Sequence, residues 1–410
     1  MPLSELDIER IGAQGDGIAG AVFVPLTLPG ERVLARVEGG RADMVELLRV
    51  SDERIAPVSP HYGECGGCAL QHWAHGPYLA WKADQVRAAL ARERIETEIL
   101  APFAAAPGTR RRLALHARKG RGGAEIGFKA RRSWRLVAIE ACPIADPRLV
   151  AAFPALRRLA EPFLEHPKSA PTLHVTWTAT GLDVDITGVE RRSGGLSADA
   201  RMRAAEAASA GDMARVTMGG EIIYQLRQPM VRLGPAVVAL PPGAFLQAVP
   251  QAEAAMADFV LEGIAGAARL ADLYCGVGTF TFRMAQGGSV LAVDSSAPAI
   301  AALRSAMASA PGLKPIIAEA RDLVRRPVLA MELAKIDAVV LDPPRAGAAE
   351  QVGEIGRSTT PRAAYVSCNP ATFARDARML VDAGFTLDRV LPVDQFLWSP
   401  HIEIVAALER

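Results

Sequence analysis

The chain has 410 residues, half of them hydrophobic and 22% charged, with a net charge of +1. That length suits two or three domains, and the composition excludes a disordered chain or one coated in positive charge. No span of about 20 apolar residues is present to cross a membrane, and the start Met1-Pro2-Leu3-Ser4 has no export signal, so a cytoplasmic protein is expected.

Short β-prone runs (Ala21 to Val24, Arg32 to Val37, Met44 to Leu48) separated by glycine-rich turns predict a small β-barrel over residues 1–52. A loop from Pro57 to Gln71 holds two of the five cysteines, Cys65 and Cys68, in a Cys-x-x-Cys pair; an odd number of cysteines argues for chemistry or metal over disulfides. A helix is predicted from Tyr78 to Arg94, with Leu79, Val86 and Leu90 on one side that could pack on the domain formed by residues 241–410. Ten basic residues against the single acid Glu125 crowd Gly108 to Arg135, with Phe128 and Trp134 among them, a pattern suited to phosphate tracking with base stacking. Strand-like runs at Leu173 to Trp177 and Leu182 to Ile186, and a helix over Ala198 to Ala210, complete a mostly β central module over residues 53–240.

Beyond Pro241-Pro242-Gly243, apolar runs at Leu270 to Tyr274, Val290 to Val293, Ile316 to Ala318, Ala338 to Leu341 and Ala363 to Val366 alternate with helical stretches. A doubly wound, Rossmann-like α/β domain is predicted over residues 241–410.

Three loops at strand ends carry candidate chemistry. Asp272-Leu273-Tyr274-Cys275-Gly276-Val277-Gly278-Thr279 is a Gly-x-Gly loop opened by an acid, which would repel a pyrophosphate and welcome an ammonium-bearing sulfonium cofactor. Asp294, eighteen residues past Gly276, suits ribose hydroxyls. In Asp342-Pro343-Pro344-Arg345 two prolines stiffen the carboxylate's loop. In Ser367-Cys368-Asn369-Pro370 the thiol precedes a helix predicted over Thr372 to Leu380, whose N-terminus is expected to lower its pKa. His401-Ile402-Glu403, before an apolar strand, supplies a base. A thiolate adding to carbon 6 of uracil would make carbon 5 nucleophilic toward a sulfonium methyl, and a base would then remove the carbon-5 proton.

These motifs, in this order, resemble those of the RNA 5-methyluridine methyltransferase family over nearly the whole chain. The resemblance implies S-adenosylmethionine contacts from Gln247, Tyr274, Gly276, Gly278, Thr279, Asp294, Asp322 and Asp342, with Cys368 as nucleophile and Glu403 as base. Thr279 stands where members often have Asn. Gly15 to Gly20 and Leu28 to Val33 are similar to the TRAM domain, a small RNA-binding barrel related in role to oligonucleotide-binding folds. Cys65, Cys68 and Cys142 resemble ligands of a 4Fe-4S cluster, whose fourth position here is Ser59. The implied partner is RNA, with 23S ribosomal RNA ahead of transfer RNA, acted on by a monomer. The competing readings are a DNA cytosine methyltransferase, disfavoured by motif order; an amino-group methyltransferase, disfavoured by Arg345 where an aromatic would stand; and a catalytically inactive RNA-binding scaffold.

Overall fold

The computed structural model describes residues 3–190 and 195–410. Three sheets organise it.

The first sheet has six strands in the order Leu3–Asp7, Arg32–Glu38, Arg41–Arg49, Val22–Val24, Gly17–Ala19, Arg10–Ile11. It encloses a small core of Ile8, Val24, Val33, Ala35 and Ala42. Buried Asp16 pairs with Arg131 at 2.8 Å and Arg132 at 2.6 Å, tying this sheet to the next and neutralising two cations of the basic segment.

The second sheet has seven strands, ordered Leu136–Ala138, Gly123–Lys129, Arg112–Gly120, Thr172–Thr178, Gly181–Thr187, Arg215–Met218, Glu221–Gln225. Strands alternate sides, so Leu113, Leu115 and Ala117 enter a core with Leu173, Val175, Val184 and Ile186. The helices Phe153–Ala160 and Ala198–Ala210 cover that core. Arg112, Ala114, His116 and Arg118 fall on the opposite face. Phe128 does not join Trp134 in facing solvent: it packs toward Cys65 and Cys142, while Trp134 is 86% exposed.

The third sheet has nine strands. Its continuous path is Ile316–Ala320, Ser289–Asp294, Arg269–Leu273, Ala338–Leu341, Arg362–Ser367, Glu403–Glu409, Thr386–Asp394, Glu98–Ile99, and Phe103–Ala104 also pairs with Thr386–Asp394. The first five run parallel, Glu403–Glu409 antiparallel to its neighbour. Val339, Val340, Ala363 and Ala364 are wholly buried because helices cover both faces. The sheet is thus the doubly wound α/β fold that the spacing predicts.

Helix His75–Arg92 and the hairpin Met230–Leu233 with Ala236–Ala239 lie far back in the sequence, yet both pack on this third core, through Val86 and Leu90 and through Val231, Leu233 and Val238. The helix is locked by a buried pair. Lys82 Nζ donates to Asp394 Oδ1 at 2.5 Å and to the His401 carbonyl at 2.5 Å, and Tyr78 donates to Asp394 Oδ2 at 2.6 Å. Those contacts fix both ends of the loop 395–402. Among the described residues no helix is long and apolar enough to cross a membrane.

Candidate active site

Strand order reverses between Arg269–Leu273 and Ala338–Leu341, so the loops after these strands diverge and leave a crevice at their carboxyl ends. A cavity of about 480 Å³ opens there, lined by Gln247, Tyr274, Gly276, Thr279, Asp294, Asp322, Asp342, Cys368 and Glu403. Residues spread over more than 150 positions of sequence therefore meet.

Gly278 is the exception among the predicted positions, because it does not line the cavity. Its φ is +99°, and a Cβ there would sit 2.5 Å from the Phe282 ring, so glycine serves the turn and its packing. Tyr274, a non-glycine residue at φ +65°, is held in a costly conformation at the end of its strand while its side chain faces the cavity. Asp294 ends the next strand and accepts the Gly276 N–H at 2.9 Å and the Ser296 N–H at 2.7 Å. Asp322 accepts the Val324 N–H at 3.0 Å.

Asp272 differs from expectation. Its carboxylate does not face the cavity; it is fully buried, takes the Thr281 hydroxyl at 2.5 Å on Oδ2, and leaves Oδ1 unpartnered. Burial first, then the charges of Asp342 and Asp294, push its pKa up to about 7. It braces the glycine loop from behind.

Gln395, which no motif singled out, joins the two halves of the site. Its side-chain N–H groups donate to Gln247 Oε1 at 2.7 Å and to Glu403 Oε1 at 3.0 Å, and its oxygen accepts the Ala248 N–H at 2.9 Å. Gln247 in turn donates to Asp342 Oδ2 at 3.2 Å. The chain Glu403–Gln395–Gln247–Asp342 is continuous, so the carboxylate beside the thiol and the carboxylate of the Asp-Pro-Pro-Arg loop share one hydrogen-bonded frame. Only the position of Gln395, between an apolar strand and the His-x-Glu motif, could have hinted at this.

The electrostatics oppose one expectation. Burial, together with the nearby carboxylates of Glu403 and Asp342, pushes the Cys368 thiol up to about 11, and Arg345 offsets only part of this. The helix Pro370–Asp382 does not bring it below the ordinary thiol value: Asn369 is the N-cap, its side chain accepts the Ala371 N–H, and Cys368 lies outside the cap. Burial also raises Glu403 to about 8, with Asp342 adding and the Gln395 hydrogen bond subtracting. Asp342 rises to about 7 by burial. Burial thus favours the protonated form of these carboxyls, and a cationic guest would favour their ionisation.

Cys368 and Arg345 also border a second cleft of about 410 Å³, shared with Arg10, Gln14, Arg92 and His401. One thiol therefore faces a carboxylate-lined cavity on one side and a basic cleft, walled partly by the N-terminal sheet, on the other. Asn369 and Thr372 both donate to the Arg345 carbonyl, at 3.1 and 3.2 Å, which holds the two loops together.

Cys65, Cys68 and Cys142 converge on a separate, small cavity of about 20 Å³ that Ser59 also lines. All are free thiols, and burial raises all three, Cys68 to about 12 and Cys142 to about 11. A 4Fe-4S cluster takes four thiolates. Here the fourth position is a serine whose hydroxyl accepts the His61 N–H at 3.2 Å, and among the described residues no three His, Cys, Asp or Glu side chains are grouped to hold a metal. The donor set does not fit the cluster that the spacing suggests.

A doubly wound sheet with carboxylates converging on a cavity at its switch point defines a Rossmann-like transferase for a nucleoside-bearing cofactor. Residues 237–410 match the family described as tRNA (uracil-5-)-methyltransferase. An uncharacterized RNA methyltransferase of Caulobacter vibrioides is 67% identical over the full length of both chains. A 23S rRNA (uracil(1939)-C(5))-methyltransferase of Halomonas elongata is 33% identical over 99% of this chain and 89% of that one. The fold matches that of the Pyrococcus abyssi tRNA (uracil-54, C5)-methyltransferase bound to S-adenosyl-L-homocysteine, with a TM-score of 0.75, 24% identity, and 98% of this chain and 99% of that one covered. The chain belongs to the RNA uracil-5 methyltransferase family and is an S-adenosylmethionine-dependent RNA (uracil-5-)-methyltransferase.

Proposed function

We propose that this chain methylates carbon 5 of a uridine in 23S ribosomal RNA through a covalent adduct between Cys368 and carbon 6. The observation that carries this is the double exposure of Cys368, with the carboxylate-lined cavity on one side and the basic cleft on the other. S-adenosylmethionine supplies the methyl group and a sulfonium charge; Gln247, Tyr274, Gly276, Thr279, Asp294, Asp322 and Asp342 are the residues that would hold it.

Cys368 gives its proton to solvent in the cleft, and its sulfur bonds to carbon 6 of the uracil as the ring's 5,6 π-electrons shift into an enolate. Carbon 5 then takes the methyl group, and the sulfonium becomes a neutral thioether. Glu403, as carboxylate, removes the carbon-5 proton; the electrons of that C–H bond re-form the double bond and expel the Cys368 thiolate. Gln395 helps in two ways, by stabilising the ionised Glu403 and by orienting Gln247. Positive charge from Arg345 and from the sulfonium favours the thiolate that the empty site disfavours.

The target carbon of a stacked uridine is hidden, so the base is taken out of its stack and presented through the basic cleft. The N-terminal sheet, similar in its motifs to a TRAM domain, supplies Arg10 and Gln14 to that cleft and acts as an RNA-binding module. Ribosomal RNA is favoured by the full-length similarity to the Halomonas elongata enzyme; transfer RNA is the second reading, favoured by the family description. Cytoplasmic location and a monomer complete the proposal.

Mass spectrometry of the protein mixed with S-adenosylmethionine and 5-fluorouridine-containing total RNA tests this. An RNA adduct on Cys368 that is absent from Cys368→Ala is expected, with 23S ribosomal RNA enriched in the trapped material. Trapped transfer RNA would select the second reading, and the absence of any adduct would overturn the covalent route.

A further inference from the structure

The basic segment 108–135 looks like one patch in sequence, but the fold divides it. Arg131 and Arg132 are consumed by Asp16, and Arg111 by Glu253 at 2.6 Å. Two of the remaining cations are laid along one face of the strand Arg112–Gly120, where alternation sends Arg112, His116 and Arg118 away from the core. The neighbouring strand adds Thr172 opposite His116 and Thr176 opposite Arg112.

The near end of this face adjoins the reaction site. The Arg112 guanidinium lies over the Phe245 ring at 5.2 Å, and Phe245 lines the 480 Å³ cavity. At the far end stands a cavity of about 700 Å³, lined by Arg118, Lys119, Lys129, Trp134 and Arg135 and bordered by His166, Pro167 and Pro171. Among the described residues no carboxylate lines it. Glu125 and Glu64 reach Arg118 and Arg135 at 2.7 and 3.3 Å from outside, in exposed pairs that solvent weakens. Trp134 is 86% exposed with the Lys129 ammonium 3.7 Å from its ring centre. A bare indole beside several cations is poor protein surface and a good platform for an unpaired base between phosphates. Six residues of extended strand separate Arg112 from Arg118, roughly 20 Å, which is further than one nucleotide spans.

We propose that this far cavity is a second RNA site, binding a phosphodiester and an unstacked base several nucleotides away from the uridine that reacts. It rests on the reading of RNA as substrate and adds where, beyond the reacting base, that RNA is gripped. A strand leaving the basic cleft at His401 passes Phe396, whose ring lies 5.9 Å from that imidazole and 5.6 Å from the Arg110 guanidinium, then follows the open sheet face and ends with one base on Trp134.

The probes are labelled oligouridines of about 20 and about 4 nucleotides, titrated against the full-length protein, Trp134→Ala and the double variant Lys119→Ala/Lys129→Ala. Both variants are expected to bind the longer oligomer about tenfold more weakly and the shorter one, seated at the reaction site, as the unaltered protein does. The lysine variant should also lower the slope of log K against log salt by about 1.4, as loss of two single-strand phosphate contacts requires. Unchanged binding of the longer oligomer by both variants, with the unaltered protein binding it, overturns the second site and leaves the RNA reading intact. Failure of the unaltered protein to bind either oligomer or to methylate total RNA overturns both. Equal thermal midpoints for the three proteins show that the substitutions act at the surface.

Discussion

Glu403→Gln should make the protein more stable and stop its turnover. Burial and the neighbouring Asp342 raise Glu403 from 4.5 to about 8. The sign follows from proton counting: between these values the folded protein holds a proton that the unfolded chain releases, so stability falls as pH rises. At about 1.4 kcal/mol per unit, the penalty grows to a ceiling of about 5 kcal/mol above pH 8 and vanishes near pH 4.5. A glutamine keeps the acceptor for Gln395 and carries no charge, so it escapes this term. Its new N–H₂ group costs about 1–3 kcal/mol if it finds no acceptor, at every pH. The measurement is the thermal midpoint of both proteins at about pH 5, 7 and 9, read as their difference. That difference should move in favour of the variant as pH rises. With S-adenosylmethionine and unmodified RNA, the same variant should accumulate a methylated covalent complex, because nothing removes the carbon-5 proton. A stability difference independent of pH would refute the electrostatic argument, and normal turnover would refute the base.

Gln395→Leu removes the hydrogen bond that lowers Glu403, so the alkaline rise of the methylation rate should shift to higher pH, while lost orientation of Gln247 raises the KM for S-adenosylmethionine; a pH–rate profile reads both. Lys82→Met strands the buried Asp394 and should cost about 3–5 kcal/mol in denaturation, with Lys82→Met/Asp394→Asn recovering part of it. Gly278→Ala forces a Cβ against Phe282 at φ +99° and should cost about 1–3 kcal/mol and weaken S-adenosylhomocysteine binding measured calorimetrically. Ser59→Cys supplies the fourth thiol of the cysteine cavity, and after anaerobic treatment with iron and sulfide it should show cluster absorbance that the unaltered chain lacks.

The parallel strands were legible in the sequence because burial on both faces makes them continuous apolar runs, and the chemistry was legible because each loop ends such a strand. Cys368, Glu403 and the cofactor-loop residues fell into one cavity for that reason. Three things were not legible, and each is a matter of long-range contact. That the strand Glu98–Ile99 joins the third sheet, and that Lys82 of the preceding helix meets Asp394 over 300 positions away, is set by contacts no local pattern encodes. Gln395 matters because it touches Gln247 and Glu403 at once, and no spacing rule encodes a side chain with two partners. The direction of the thiol's pKa is the third, because a helix following in sequence marks only where a dipole lies, whereas the fold buries the sulfur, sets two carboxylates beside it and leaves it outside the cap.

That last difference bears on mechanism. A thiol lowered in advance would be reactive toward any electrophile reaching the basic cleft, whereas burial, with the carboxylates of Glu403 and Asp342, raises Cys368 above the ordinary thiol value. Its ionisation then depends on charge arriving in the carboxylate-lined cavity, since each positive charge there offsets Asp342 and Glu403, which hold the thiol up. The hydrogen-bonded frame from Asp342 through Gln247 and Gln395 to Glu403 ties the same cavity to the base. On the proposed covalent route, positive charge on the cofactor side would therefore favour both the Cys368 thiolate and the Glu403 carboxylate.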